Sequence, residues 1–129
     1  MARRRAIYLD DYGHATGIPV ASVVGPLMVS SIIAPFDPGT RNAPDTALAQ
    51  LENLFRHAGK MLLMAGGSFD DVARITFYVS ELALRDELNP IWDSHFPDKA
   101  SCPARYTQLL APGVSKGLMI QADFIAYLG

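Results

Sequence analysis

The chain has 129 residues, half of them hydrophobic and 19% charged, with a formal net charge of −2. Those figures predict a single globular domain over residues 1–129, and the lack of a basic surplus argues against nucleic acid as the main partner. No apolar stretch approaches the roughly 20 residues that cross a bilayer, so no membrane partner is expected. The single cysteine, Cys102, excludes an internal disulfide and suits a reducing cytoplasm. The charged start Arg3-Arg4-Arg5 is followed by Leu9-Asp10-Asp11 rather than an apolar run, so no secretory leader is expected. The three arginines read as a solvated end.

Residues 5–9 predict a short edge strand, and residues 10–19 a loop rich in Gly, Asp and His. Val20–Val24 and Leu27–Ile33 read as the arms of a hairpin turning at Gly25-Pro26. Residues 35–44 hold too much Pro and Gly for regular structure. A helix follows, because Leu48, Leu51, Phe55, Ala58, Leu62 and Ala65 recur at steps of three and four. Pro44 suits its first turn, and Gly66-Gly67 its left-handed end. Ser68–Asp71 is a capped turn. Val72–Ser80 is a strand, with Ala73, Ile75, Phe77 and Val79 inward and Arg74, Thr76, Tyr78 and Ser80 outward. A second helix is predicted over 81–96, interrupted near Pro90. Leu84, Leu88, Ile91, Trp92 and Phe96 form its inner stripe. Strands over 103–111 and 117–128 finish the chain, joined by a turn at Pro112-Gly113. In the last strand Leu118, Ile120, Ala122, Phe124, Ala126 and Leu128 share the apolar face.

This order predicts an α+β fold: one mixed β-sheet with two helices packed on one face. The open face is expected to carry Arg74, Thr76, Tyr78, Arg105, Thr107, Gln121 and Asp123 among Met28, Ile32, Met119 and Ile125. Such a face is too polar for a dry core and too apolar for bare solvent, so self-association across it is expected.

The most informative stretch is Ser101-Cys102-Pro103-Ala104-Arg105-Tyr106-Thr107-Gln108-Leu109. Proline is tolerated at a strand's first residue, which places Arg105 two residues into a strand with Thr107 on the same face. A guanidinium there is either a bidentate receiver for a carboxylate or phosphate, or a partner for a structural acid or the sheet edge.

Pro103-Ala104-Arg105 is similar to the substrate-binding segment of the reactive-intermediate deaminases, the Rid or YjgF-like family. Leu27–Ile33 resembles that family's strand ending in Ser-Gly-Gln-Ile, and Gln50 with Asn53 resembles its first helix. Gly66-Gly67-Ser68-Phe69-Asp70-Asp71-Val72 resembles its Gly-Gly-Ser-x-Asp-Asp-Val turn. Asn89, Trp92 and His95-Phe96-Pro97 resemble its second helix. The segments occur in family order over nearly the whole chain. The resemblance implies a fold like the compact bacterial chorismate mutases, assembling as a trimeric barrel with three inter-subunit clefts. It implies hydrolysis of a 2-imino or 2-aminoenoate carboxylate to ammonia and a keto acid, with no cofactor. A 2-aminomuconate-type intermediate falls within that class. By position, Arg105 would anchor the substrate carboxylate. Ser30, Ser31, Ile32, Asn89, Ala104 and Thr107 would lie near the ligand, with Thr107 where many members have a cysteine.

Two positions depart from the family pattern. The Ser-Gly-Gln-Ile segment is Ser30-Ser31-Ile32-Ile33. Gln121 stands where the family's water-positioning Glu is expected, if an insertion is allowed in the 112–117 turn. An amide takes no proton from water, although it still orients one by hydrogen bonds. Asp123 shares Gln121's face about 7 Å away and is read either as a substitute base or as an interface ion-pair partner. The alternative to an enzyme is therefore a non-catalytic trimer of the same fold that binds small carboxylates or acts as an interaction protein. His14, His57 and His95 have no metal-ligand spacing, so no metal is expected. Cys102 reads as a structural thiol, because nothing local marks an activating base.

Overall fold

The computed structural model describes residues 3–111 and 117–129. Six strands build one sheet: β1 (Arg4–Ile7), β2 (Ala21–Val24), β3 (Leu27–Ser30), β4 (Val72–Val79), β5 (Ala104–Leu109) and β6 (Ile120–Tyr127). Their spatial order is β1-β2-β3-β6-β4-β5. Neighbours are antiparallel except β4 and β5, which are parallel. Parallel partners need a long crossover, and α2 (Arg85–His95) lies in that connection. The other helix, α1 (Ala47–Ala65), joins β3 to β4. Phe77 of β4 meets Phe55 of α1 at 6.2 Å and Trp92 of α2 at 6.0 Å, so both helices lie on one face. This is the α+β arrangement of two helices on a single mixed sheet that the periodicities predict. Truncating an aromatic at such a junction to alanine typically costs about 3–5 kcal/mol.

The boundaries of α1 are set by its caps. Thr46 accepts a hydrogen bond from Ala49 N at 3.2 Å, and Gly66 ends the helix at φ 87°. Pro44 therefore lies before the cap rather than in the first turn. The buried stripe is Leu51, Leu54, Phe55, Ala58, Met61, Leu62 and Ala65, whereas Leu48 is 52% exposed. The buried face is wider than one stripe because loops pack beside the sheet. Gln50, fully buried, donates to Pro44 O and Gly117 O and accepts from Met119 N. Asn53 donates to Pro35 O and to Asp37 Oδ1. Arg5, expected to be solvated, donates to the carbonyls of Met64 and Ala65, where the last turn of α1 leaves acceptors free.

Ser68 and Asp71 form a reciprocal capping box before β4. An irregularity between Val72 and Arg74 turns Ala73 outward, against its predicted inward place. The second helix breaks earlier than Pro90: a 3-10 turn over Leu82–Leu84 precedes α2, and Pro90 lies inside α2. Leu84, Leu88, Trp92 and Phe96 anchor this stretch in the core, at four-residue steps that keep the segment on one side.

Strand β3 stops at Ser30, shorter than predicted. Ser31 and Ile32 leave the ladder, and Ile33 rejoins β6 through a bridge to Ala122. On β6, Ile120, Ala122, Phe124 and Ala126 all point into the core as predicted. The turn at Pro112-Gly113 and the insertion beside it lie outside the described residues.

Register corrects the predicted open face. Paired residues share a face, and Arg105 lies opposite Ile75, which lies opposite Phe124 of the core. Arg105 and, opposite Phe77, Thr107 thus belong to the helix-covered face. Met28 lies opposite Ala126 and is fully buried. Alternation along β5 and β3 tells which side chains travel together, but pairing partners decide which side they take. Arg74, Thr76, Tyr78, Gln121, Asp123 and Ile125 do share the open face, joined by Tyr106 and Gln108.

Candidate active site

The residues expected to act together form three clusters. The first gathers at edge strand β5 beneath α2. Arg105 Nη2 donates to Asn89 Oδ1 at 2.8 Å, and its guanidinium stacks 5.3 Å over the Trp92 ring. Trp92 Nε1 in turn donates to Cys102 Sγ at 3.2 Å, which gives the thiol a structural role. Arg105 makes no ion pair with an acid among the described residues. Burial, and then the nearby Arg85 charge, pull its pKa below the ordinary guanidinium value while Asp93 opposes them. A cation held by a neutral amide and an aromatic face keeps its charge available for an anion. Thr107 is half-buried on the same side, one alternation further on. Ala104 lies opposite Arg74 on the open face, so it has only its backbone to offer beside Arg105.

The second cluster is on the open face. Tyr78 lies opposite both Gln121 and Gln108. Its hydroxyl donates to Asp123 Oδ2 at 2.7 Å. Burial, with the Asp123 carboxylate beside it, raises the Tyr78 pKa, so the phenol remains a donor. Thr76, opposite Asp123, is buried. Gln121, Tyr78 and Asp123 thus place an amide, a phenol and a carboxylate together on a half-buried patch.

The third cluster lies where β3 ends. Ser30 Oγ accepts from Phe124 N at 2.9 Å and replaces the ladder partner lost as the chain departs. Ser31 Oγ donates to Pro19 O at 2.8 Å, and Ser31 N to Val20 O at 2.9 Å. Both serines border a surface cleft of about 280 Å³ with Ile18, Pro19 and Val29. Ile32 is 37% exposed just beyond it.

Within one chain these clusters do not meet. β3 and β5 are separated by β6 and β4, three strand spacings or about 14 Å. Arg105 and Gln121 also face opposite sides of the sheet. Two of the three histidines are engaged elsewhere: His57 Nε2 lies 2.7 Å from Phe36 O under the Tyr12 ring, and His95 stacks on Phe55 at 4.0 Å. Among the described residues, no group of three or more His, Cys, Asp or Glu is arranged to hold a metal. No described helix is long and apolar enough to cross a membrane.

Sequence reasoning placed Trp92 in the core and missed its second face as the platform for Arg105. It also missed the Tyr78–Asp123 bond. Their spacing carried a signal: Trp92 follows Asn89 by three residues, which puts both on the side of α2 that meets β5.

An edge-strand arginine bonded to Asn89 and stacked on Trp92, and a separate amide–phenol–carboxylate patch, lie on a small α+β domain. The chain belongs to the endoribonuclease L-PSP family, the Rid or YjgF-like proteins, whose family profile matches residues 16–127. It is similar to RidA from the Antarctic bacterium Psychrobacter, at 26% identity over 95% of this chain and 98% of that one, with a TM-score of 0.84. A Mycobacterium tuberculosis member of the YjgF/YER057c/UK114 family is 22% identical over 96% of this chain and 98% of its own, with a TM-score of 0.78. Yeast Mmf1 shares 16% identity over 98% and 99% of the two chains, with a TM-score of 0.87. These last two show likeness of fold. No curated protein matches the chain.

Proposed function

We propose that this protein hydrolyses small 2-imino or 2-aminoenoate carboxylates in clefts between subunits of a homotrimer, in a reducing, cytoplasmic setting. The observation that carries the reading is Arg105, held by Asn89 and Trp92 at a sheet edge and without an ion pair among the described residues. Ser30, Ser31, Ile32, Gln121 and Asp123 of the predicted site lie away from that edge. A second copy is the means of bringing a Ser30–Ser31 cleft or a Gln121 patch to that edge. Leu27, Val29, Tyr106 and Tyr127, all exposed on the open face, support a face covered by other subunits.

In this mechanism Arg105 binds the substrate carboxylate and sets the imine carbon at a fixed distance from a water. The water oxygen adds to the carbon of the protonated C=N bond, whose π pair moves to nitrogen. The resulting carbinolamine transfers a proton to its nitrogen and expels ammonia, leaving the C=O of a keto acid. Gln121 orients the water through its amide but accepts no proton. Imines hydrolyse readily, so anchoring and water placement supply most of what the reaction needs. A net charge of −2 favours a small-molecule substrate over RNA.

Ammonia release from freshly generated 2-iminopropanoate, for the intact protein and Arg105→Ala, tests the reading. Activity that is lost with Arg105 supports it, and activity unchanged by the substitution removes Arg105 as the anchor. Gln121 favours a second reading, a trimer that binds small carboxylates without turnover. Carboxylate binding with no ammonia released from any imine selects that one.

A further inference from the structure

We infer that Arg85 is a second anion anchor beside Arg105 and that the site takes dicarboxylates, one carboxylate to each guanidinium. The inference rests on the carboxylate-binding role of Arg105 proposed above.

Arg85 opens α2, four residues before Asn89, and residues four apart on a helix are neighbours about 5–6 Å apart at Cβ. Asn89 is the residue that holds Arg105. The turn Leu82–Leu84, immediately before Arg85, packs against β5. Two guanidinium-bearing side chains are thereby brought to one strip between α2 and the edge of the sheet.

Neither makes an ion pair among the described residues. Among the described residues, Arg85 makes no ion pair, and its hydrogen bond, Nε to Leu82 O at 3.3 Å, leaves both terminal nitrogens for a ligand. The side chain is exposed. The acid nearest in the strip is Asp93, one turn beyond Asn89, and it is paired with Lys99 at 2.6 Å. Asp86 and Glu87 follow Arg85 directly, about 100° and 200° around the helix. Among the described residues, the strip therefore runs from a cation without an ion pair at Arg85, through Asn89, to Asp93 in its pair with Lys99. The Arg85 charge is felt at Arg105 as like-charge opposition, alongside the attraction of Asp93, which is the larger of the two. A dianion relieves that opposition, whereas a monoanion neutralises only one of the pair.

The strip also sets direction and length. A second carboxylate meets Asp93 if it turns towards the C-terminal end of α2 and Arg85 if it turns the other way. Arg85 and Asn89 stand about one helical turn apart, roughly 5.4 Å along the axis, and a diacid with three carbons between its carboxylates is of that order of length.

Calorimetric titration of the full-length protein with glutarate and with butyrate tests this without requiring turnover. Glutarate is expected to bind at least roughly tenfold more tightly, by a second charge-assisted contact. Arg85→Ala and the near-isosteric Arg85→Gln are both expected to bring that ratio close to one, and Arg105→Ala to weaken both acids. A ratio near one in the unaltered protein, no measurable glutarate binding, or a tenfold ratio that survives both Arg85 variants overturns the proposal. Glutarate preference without ammonia release from any imine removes the hydrolase reading and leaves this one standing. Ammonia release that depends on Arg105, with no preference for the diacid, overturns this one alone.

Discussion

Arg105 and Gln121 face opposite sides of one sheet. Arg105 is paired with Ile75 on the helix-covered side, and Gln121 with Tyr78 on the open side. A substrate that needs both must draw them from different chains. The parts of the Arg105 cluster can therefore be tested separately from those of the Gln121 patch.

Asn89 positions Arg105 without carrying charge. Asn89→Ala removes the 2.8 Å bond while leaving Trp92 beneath the guanidinium. A hydrogen bond to a charged group at a partly exposed site contributes about 1 kcal/mol, so KM is expected to rise roughly fivefold. Restoring a short acceptor with Asn89→Asp would pair Arg105 with an internal anion. That variant is expected to raise KM further, and steady-state kinetics on the two variants check both outcomes.

Gln121→Glu places a carboxylate beside Tyr78, where the proposed mechanism has an amide orient the water. General-base help typically contributes about 10²-fold or more, so kcat is expected to rise by at least roughly tenfold. Asp123 lies about 7 Å along the same strand face, and its charge holds the new group's pKa up, towards working pH. A clear rise would show that the present chain has moved away from base-assisted hydrolysis. A fall in kcat would show that the glutamine has its own role with another substrate.

Stability is expected to fall as pH drops below about 6.5. Burial under the Tyr12 ring lowers the pKa of His57, while the Phe36 carbonyl and Asp11 work the other way and Arg56 and Lys60 add to the lowering. The folded state then binds fewer protons than the unfolded state between the lowered pKa and the ordinary imidazole value of 6.5. Stability therefore rises with pH through that window and is lost on acidification. Burial lowers the pKa of His14 and His95 in the same direction. A second loss comes lower, because Lys60 and Arg56 hold the Asp11 carboxyl at about 2, against the ordinary carboxyl value of 3.8. Asp11 contributes stability above 3.8 that is lost as pH falls towards 2. Urea midpoints from pH 8 to pH 5 are expected to decline in the native protein, and less steeply in His57→Gln. A flat profile in the native protein would sink this account.

Much of the architecture is written in local chemistry. The periods of α1, β4 and β6, the Gly66 stop and the Ser68 capping box each depend on neighbours a few residues away, so they are legible in the chain alone. The family pattern around Pro103-Ala104-Arg105 is equally local, and it marks Arg105, Asn89 and Gln121 as candidates. Tertiary structure decided which side of the sheet each one takes. Arg105 and Thr107 face α2, and Met28 enters the core, because register with Ile75, Phe77 and Ala126 sets the side. Alternation has two equivalent phases, and only a pairing partner distant in sequence selects between them. The same long-range packing brought Trp92 beneath Arg105 and Tyr78 to Asp123.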